Sequence, residues 1–257
     1  MGVARADAGT LVLLIHGAGT TGAVWQGVAA ELGRVGGVGV LAPDLPGHGA
    51  ASGAPPYSVG QMATAVATQI PTGRRVLVAG HSLGGYVALE LASGRYGFAP
   101  VGAVSLGAKI EFTTGERTRL DELAARPVRW FGTRAEALAR YRLVSGLDAG
   151  RFADDRFFER AVAPGPRGFR LACDPATYAL IVPPFGQLLA AATCPVLVAR
   201  GSGDALVSRA QCEALGVPFE ELAGLGHNVQ VEDPPRVAAL LCRLLAEHPD
   251  DRLAGGT

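Results

Sequence analysis

The stretch Gly80-His81-Ser82-Leu83-Gly84 constrains this chain more than any other, because it follows an apolar run, Arg75-Val76-Leu77-Val78-Ala79, that reads as a buried strand. Behind it, Gly85-Tyr86-Val87-Ala88-Leu89-Glu90-Leu91-Ala92 reads as a buried helix. A strand that turns at once into a helix forces its middle residue into a strained backbone conformation, so the positions two before and two after it must lack a Cβ. The sequence therefore predicts that the Ser82 hydroxyl stands exposed at the carboxyl edge of a sheet. The amino end of the helix would direct N–H groups at any anion forming beside it.

A serine hydroxyl is a weak nucleophile at neutral pH and needs a base, which in turn needs an orienting acid. Two later strands end in candidates. Pro195 to Arg200 runs into Gly201-Ser202-Gly203-Asp204, and Phe219 to Leu222 leads to Gly224-Leu225-Gly226-His227. The order Ser, Asp, His is the one expected of a catalytic triad built on successive strands of one parallel sheet. Two plainer roles compete: Asp204 as a cap for the helix starting near Ser208, and His227 as a loop histidine bonded to backbone. Glu232 and Asp233 are the next carboxylates to consider should Asp204 not be the acid. His16 and His48 flank glycine turns and read as loop-fixing, His81 is directed away from the serine, and His248 lies in a polar tail. Two N–H donors must also face the developing oxyanion. Leu83, directly after the serine, is one; Ala18, in His16-Gly17-Ala18-Gly19 after the first strand, is the other.

One motif competes with this reading. Gly17-Ala18-Gly19-Thr20-Thr21-Gly22 is a literal G-x-G-x-x-G after a strand, and Asp44 ends the next strand, as in a dinucleotide fingerprint. Asp44, however, runs straight into the tight loop Leu45-Pro46-Gly47-His48-Gly49, and a dinucleotide site leaves Ser82, Asp204 and His227 without a role.

Taken together, His16-Gly17-Ala18-Gly19, Asp44-Leu45-Pro46-Gly47-His48-Gly49, the turn at Ser82, the loop from Gly201 to Val207 and Gly226-His227 resemble the alpha/beta-hydrolase fold superfamily, in order and over nearly the whole chain. The resemblance implies a doubly wound, mostly parallel α/β sheet with a helical cap inserted over the serine. Members include esterases, lactonases, thioesterases, carbon–carbon bond hydrolases, cofactor-free haloperoxidases and some acyltransferases. Epoxide hydrolases and haloalkane dehalogenases carry an aspartate where this chain has Ser82, which argues against those activities. Members usually begin with an antiparallel hairpin, whereas only about ten residues precede the first strand here, so at least one edge strand is expected to be missing.

Apolar runs predict strands at 11–15, 38–42, 75–79, 101–106, 195–200 and 218–222, with helices near 22–33, 58–70, 83–94, 208–215 and 234–247. This alternation predicts a parallel sheet wound on both faces. Residues 111–188 break it and read as the insertion, dividing a core of 1–110 and 189–248 from a cap, with a disordered tail at 249–257. Arg134 to Leu143 and Asp155 to Ala161 read as amphipathic helices within it. Its aromatics, Trp130, Phe131, Tyr141, Phe152, Phe157 and Phe158, either line a substrate pocket or pack the cap; packing is the more economical reading, and Trp25 reads as core.

At 257 residues with zero net charge and 18% charged residues, the chain is long enough for a full core and offers no basic surface for nucleic acid. It has no phosphate-binding G-x-x-x-x-G-K-[ST], no signal-like leader in Met1 to Thr10 and no apolar run of membrane-spanning length, so a cytoplasmic enzyme without membrane contact is expected. Cys173, Cys194, Cys212 and Cys242 lack C-x-x-C spacing and read as free thiols. The expectation is a serine hydrolase of a small or medium, largely apolar ester, lactone or thioester, acting on a small-molecule substrate with no metal or organic cofactor. A carbon–carbon hydrolase or acyltransferase would use the same triad, the former with Arg129, Arg134 or Arg142 binding a substrate carboxylate. A ligand receptor on the same scaffold would bind and barely turn over. Oligomeric state is not legible.

Overall fold

The computed structural model describes residues 9–147, 158 and 160–247. Its strands are β1 (Thr10–Ile15), β2 (Val38–Leu41), β3 (Arg75–His81), β4 (Pro100–Leu106), β5 (Val162–Gly165), β6 (Gly168–Leu171), β7 (Val196–Gly201) and β8 (Phe219–Leu222). Six of these form one sheet in the order β2-β1-β3-β4-β7-β8, with every adjacent pair parallel; β5 and β6 form a separate antiparallel hairpin. The strands of the main sheet lie within two residues of the windows read from apolar periodicity.

Side chains alternate across a strand, so each strand of the sheet feeds two cores. Val12, Leu14, Leu77, Ala79, Val104 and Leu106 face one; Leu11, Leu13, Ile15, Val76, Val78 and Val198 face the other. Helices α1 (Gln26–Val35) and α9 (Pro234–Glu247) cover the first face, α9 burying Val237, Ala238, Leu240 and Leu241 at helical spacing. Helices α2 (Val59–Ala67) and α3 (Leu83–Leu91) cover the second. The fold is thus the doubly wound α/β architecture of the alpha/beta-hydrolase type.

Helix boundaries deviate from the sequence reading for local reasons. The first helix opens as a 3-10 turn, Gly22–Trp25, with Thr21 at its N-cap accepting from Ala23 N–H. Helix α3 stops at Leu91, since the Ser93 hydroxyl bonds the Glu90 carbonyl and Gly94 adopts φ 71°.

Between β4 and β7 the chain leaves the main sheet. It forms α4 (Thr114–Ala124), α5 (Arg134–Ser145), the β5–β6 hairpin, a 3-10 turn at Pro175–Ala179 and α6 (Phe185–Ala191). Both α4 and α5 start with capping boxes, Thr113 with Glu116 and Thr133 with Glu136. Periodicity revealed α5 but not α4, which buries none of its side chains and so carries no clear apolar stripe. Helix α6 runs across the expected boundary at 188, with Phe185 set edge-on to Tyr86 of α3 at 5.3 Å. Trp130 packs on Gly165, Phe131 pairs its backbone with Phe169, and Tyr141 meets Phe158 edge-on at 5.8 Å. Phe152, Phe157, four of the seven residues of the expected helix at 155–161, His248 and the tail lie outside the described residues, and 160 and 161 form a turn. Short helices α7 (Arg209–Glu213) and α8 (Val229–Glu232) follow β7 and β8.

Candidate active site

Going along the chain, the winding reverses between β1 and β3: β2 lies on one side, β4, β7 and β8 on the other. Open α/β sheets bind ligands beyond the carboxyl ends of the strands at such a switch point. Ser82 and the His16–Gly19 loop occupy it.

Ser82 adopts φ 53° and ψ −117° and is the only non-glycine residue with positive φ among the described residues. Sterics explain the flanking glycines. A Cβ at Gly80 would fall 1.8 Å from the Gly84 carbonyl oxygen, and one at Gly84 would fall 2.2 Å from that of Ile15. The turn is pinned by Ser82 N–H donating to Leu106 O at 2.8 Å and Gly85 N–H to Ser82 O at 2.9 Å. Leu83 is the first residue of α3, so its N–H has no acceptor within the helix.

The loop after β1 lies directly over this turn and packs closely on it at Gly17, where a Cβ would sit 3.1 Å from Ser82 Cβ. Two buried histidines shape the loop. His16 Nε2 accepts from Leu45 N–H at 2.9 Å, and its Nδ1 lies 2.8 Å from Gly17 O. His48 Nε2 accepts from Gly19 N–H at 3.1 Å, and its Nδ1 lies 3.2 Å from Pro46 O. Each ring thus accepts at Nε2 and donates at Nδ1, which requires the neutral form; burial pushes both below the ordinary imidazole value, His16 well below. Ala18 lines the same cavity as Ser82 and Leu83.

Asp44, the residue that mimicked a ribose ligand in the sequence, is spent on this framework. Its buried carboxylate accepts from Gly22 N–H at 2.8 Å, Ala50 N–H at 3.0 Å and Arg160 at 3.1 Å.

Asp204 and His227 stand in the loops after β7 and β8. Asp204 Oδ2 lies 2.9 Å from His227 Nδ1, with the Asp204 side chain at 0% exposure and His227 at 25%. A carboxylate at Nδ1 holds the proton there and leaves Nε2 able to accept one. Ser208, not Asp204, caps α7. Asp204 Oδ1 instead takes Leu206 N–H at 2.8 Å. Glu232 accepts from the N–H groups on both sides of His227, Gly226 at 2.7 Å and Asn228 at 3.2 Å, while Asp233 caps α9 through Arg236 N–H at 3.1 Å. His81 Nε2–H donates to the His227 carbonyl at 2.8 Å with the two rings 4.6 Å apart; burial, then the neighbouring His227, holds its imidazole well below its usual value.

Sequence reasoning missed Arg200. This buried guanidinium donates to Asp204 O at 2.8 Å and Ser202 O at 3.2 Å, and pairs with Glu221 directly opposite on β8. It braces the loop carrying Asp204. The available signal was a cation at the end of an apolar strand, matched in register by an acid on the next.

A cavity of about 440 Å³ opens at Ser82. Its wall is mainly apolar, from Leu83, Tyr86, Phe112, Leu120, Leu123, Leu180, Val182 and Leu206, with Lys109, Glu116, Arg117, Arg119 and Asp121 adding charge. Lys109 pairs with Glu116 at 2.9 Å, and Arg117 stacks over Phe112 at 5.3 Å. None of Trp130, Phe131, Tyr141 and Phe158 lines this cavity. Nor do the three arginines considered for a substrate carboxylate: Arg129 stacks on Phe131 at 5.0 Å, Arg142 on Phe158 at 4.6 Å, and Arg134 reaches Phe158 O at 3.5 Å. The four cysteines are free, and no His, Cys, Asp and Glu cluster suited to a metal ion occurs among the described residues.

Residues 12–240 match the model of the alpha/beta hydrolase family. Among curated proteins, the chain is 31% identical over 250 residues to lipase LipV of Mycobacterium tuberculosis, covering 90% of this chain and 91% of that one. An uncharacterised protein of Mycobacterium bovis shares 42% identity over 91 residues, 34% of this chain and 26% of its own length, so the match spans about a quarter of that relative. Among solved structures, a thioesterase domain from the curacin biosynthetic pathway superposes with a TM-score of 0.75 at 22% identity, over 94% of this chain and 93% of that one. With a family match over residues 12–240 and a lipase relative aligned over nine-tenths of both chains behind the geometry just described, the chain belongs to the alpha/beta hydrolase family.

Proposed function

We propose that this hydrolase cleaves a small or medium, largely apolar ester, thioester or lactone through an acyl-enzyme on Ser82. The observation that carries the reading is the strained Ser82 at the mouth of a mostly apolar cavity, on the strand-end layer that also holds the hydrogen-bonded Asp204–His227 pair. In this mechanism Ser82 Oγ attacks the substrate carbonyl while His227 Nε2 takes its proton. Asp204 keeps the imidazole in the right tautomer and stabilises its cation. The N–H groups of Leu83 and Ala18 hold the oxyanion. His227 returns the proton to the leaving oxygen or sulfur, and water, activated by the same imidazole, then frees the acid. No step calls on a metal or organic cofactor.

In the same reading, residues 111–188 act as the cap, α4 supplying the cavity wall through Leu120 and Leu123. The partner is a small-molecule substrate, without nucleic acid or membrane, in a cytoplasmic setting; no helix is long and apolar enough to cross a membrane among the described residues. The lipase name of the mycobacterial relative supports ester chemistry.

A fluorophosphonate tests the assignment. It is expected to add once, at Ser82, and not at all to Ser82→Ala, with ester turnover lost by a factor on the order of 10⁶. Asp204→Asn is expected to keep the labelled serine but lower turnover by roughly 10³–10⁴. A single adduct persisting in Ser82→Ala would remove Ser82 as the nucleophile.

A further inference from the structure

The five tyrosines of this chain do not share one fate. Tyr57 donates to Asp174 at 2.8 Å, Tyr86 to Lys109 O at 2.5 Å and Tyr96 to Glu90 at 2.6 Å, while the Tyr141 hydroxyl is sealed in the core. The Tyr178 hydroxyl bonds none of the described residues, and Tyr178 lines the cavity that holds Ser82, Leu83 and Ala18. Its position is specific. A Cβ built on Gly19, the residue after Ala18, would lie 3.2 Å from the phenol oxygen and no other atom. Glycine at 19 suits its φ of 71°, and any larger side chain there would press on the phenol.

The segment bearing Tyr178 is tied down on both sides. Asp174 N–H donates to Gly47 O at 2.8 Å, and its carboxylate takes Ala176 N–H at 3.0 Å and the Tyr57 hydroxyl. Ile181 N–H donates to Tyr57 O at 3.0 Å, and Thr177 is buried against Gly47. A donor carried on a segment tied down this way, in the cavity that Ser82 and Ala18 also line, needs little further ordering to meet a bound substrate.

We infer that the Tyr178 hydroxyl is a third hydrogen-bond donor to the substrate oxyanion, supplied by the segment between β4 and β7 and acting beside the N–H groups of Ala18 and Leu83. The inference rests on the proposed Ser82 chemistry. Burial pushes the phenol up to about 12, so it stays a neutral donor at working pH. The step needs no further reactant: the O–H lends a hydrogen bond as the carbonyl oxygen gains charge and keeps its proton throughout.

The test is Tyr178→Phe, assayed on two esters that share an acyl group and differ in leaving group, one a phenol and one an alkanol, alongside the rate of fluorophosphonate labelling. The expected result is a fall in kcat of about 10- to 100-fold on both esters, KM within about twofold, and a parallel fall in labelling rate. Incorporating 3-fluorotyrosine at position 178, which keeps ring and donor, is expected to hold kcat within about threefold of the wild type even if the Phe variant is less stable. An unchanged kcat in Tyr178→Phe, a loss confined to the alkanol ester, or a change in KM alone overturns the inference while leaving the Ser82 reading intact. A wild-type protein that neither labels nor turns over overturns both.

Discussion

The turn at Ser82 and helix α4 face each other across one cavity, yet they are held by opposite means. At the turn, backbone meets backbone: Gly80 and Gly84 each sit where a single methyl group would collide with a carbonyl oxygen. Helix α4 buries no side chain and rests on its capping box, its contacts with the Pro175–Ala179 turn and the Lys109–Glu116 ion pair. Solvent around Glu116 screens that pair, so it adds little to stability. The difference separates two demands on the site. Chemistry needs atoms fixed to fractions of an ångström, whereas a wall that selects acyl groups needs only shape and apolar surface, and is free to change without endangering the fold.

The contrast can be broken first at the turn. Gly80→Ala is expected to cost about 4 kcal/mol or more, because the intruding methyl meets backbone and not a flexible side chain. Urea denaturation with an activity assay reads it, and a variant that keeps near-native stability and turnover would show that the turn is more plastic than its glycines imply.

A second difference is in response to pH. His16, His48 and His81, all beside the turn or its covering loop, are depressed below the ordinary imidazole value by burial. In the unfolded chain they titrate near about 6.5. Above that pH neither state carries the extra protons; below it the unfolded state binds protons that the folded state refuses, so stability falls as pH drops from about 6.5 toward the folded values. Denaturation midpoints at pH 7.5 and 5.5 are expected to differ in that direction, and equal midpoints would show that these imidazoles titrate normally in the fold.

The smallest expected effect lies in α4. Leu120→Ala and Leu123→Ala should change stability by less than about 1 kcal/mol, since both are only half-buried. They should nevertheless lower kcat/KM for long-chain esters by about tenfold, with acetates nearly unaffected. Equal losses on short and long chains would remove these leucines from the acyl wall.

Legibility in the sequence follows the same division. Strands β1, β3, β4 and β7 of the main sheet are largely buried and read as near-continuous apolar runs, and the shorter edge strand β8 is marked by the Gly224-Leu225-Gly226-His227 turn after it, so the strand-end positions of Ser82, Asp204 and His227 could be read directly. The expected loop-fixing roles of His16 and His48 have a visible signature in flanking glycines, and both rings bond loop backbone. Helix α4 and the β5–β6 hairpin went unseen, because elements that bury little leave no periodic pattern. The aromatics singled out between 130 and 158 were visible as residues but not as contacts. The cavity's own aromatics, Tyr86, Phe112 and Tyr178, come from three separate stretches that nothing in their spacing connects.

By itself the sequence determined the layered α/β fold and the glycine-framed serine, because both are set by local rules: alternation of side chains along a strand, and the absence of room for a Cβ in a strand–helix turn. The sequence singled out Asp204 as the acid by its place at a strand end, and the tertiary structure decided that its carboxylate meets the imidazole of His227 while Glu232 and Asp233 bond backbone N–H groups. It also decided that Asp44 clamps a loop, that Arg200 braces Asp204, and that Tyr178 arrives beside Gly19. The physical reason is common: the Asp204–His227 pair, the Asp44 clamp on Gly22, the Arg200–Glu221 pair that anchors the brace and the approach of Tyr178 to Gly19 each join segments distant in the chain, fixed by how the packed sheet and its connections fold back, and no local pattern records that distance.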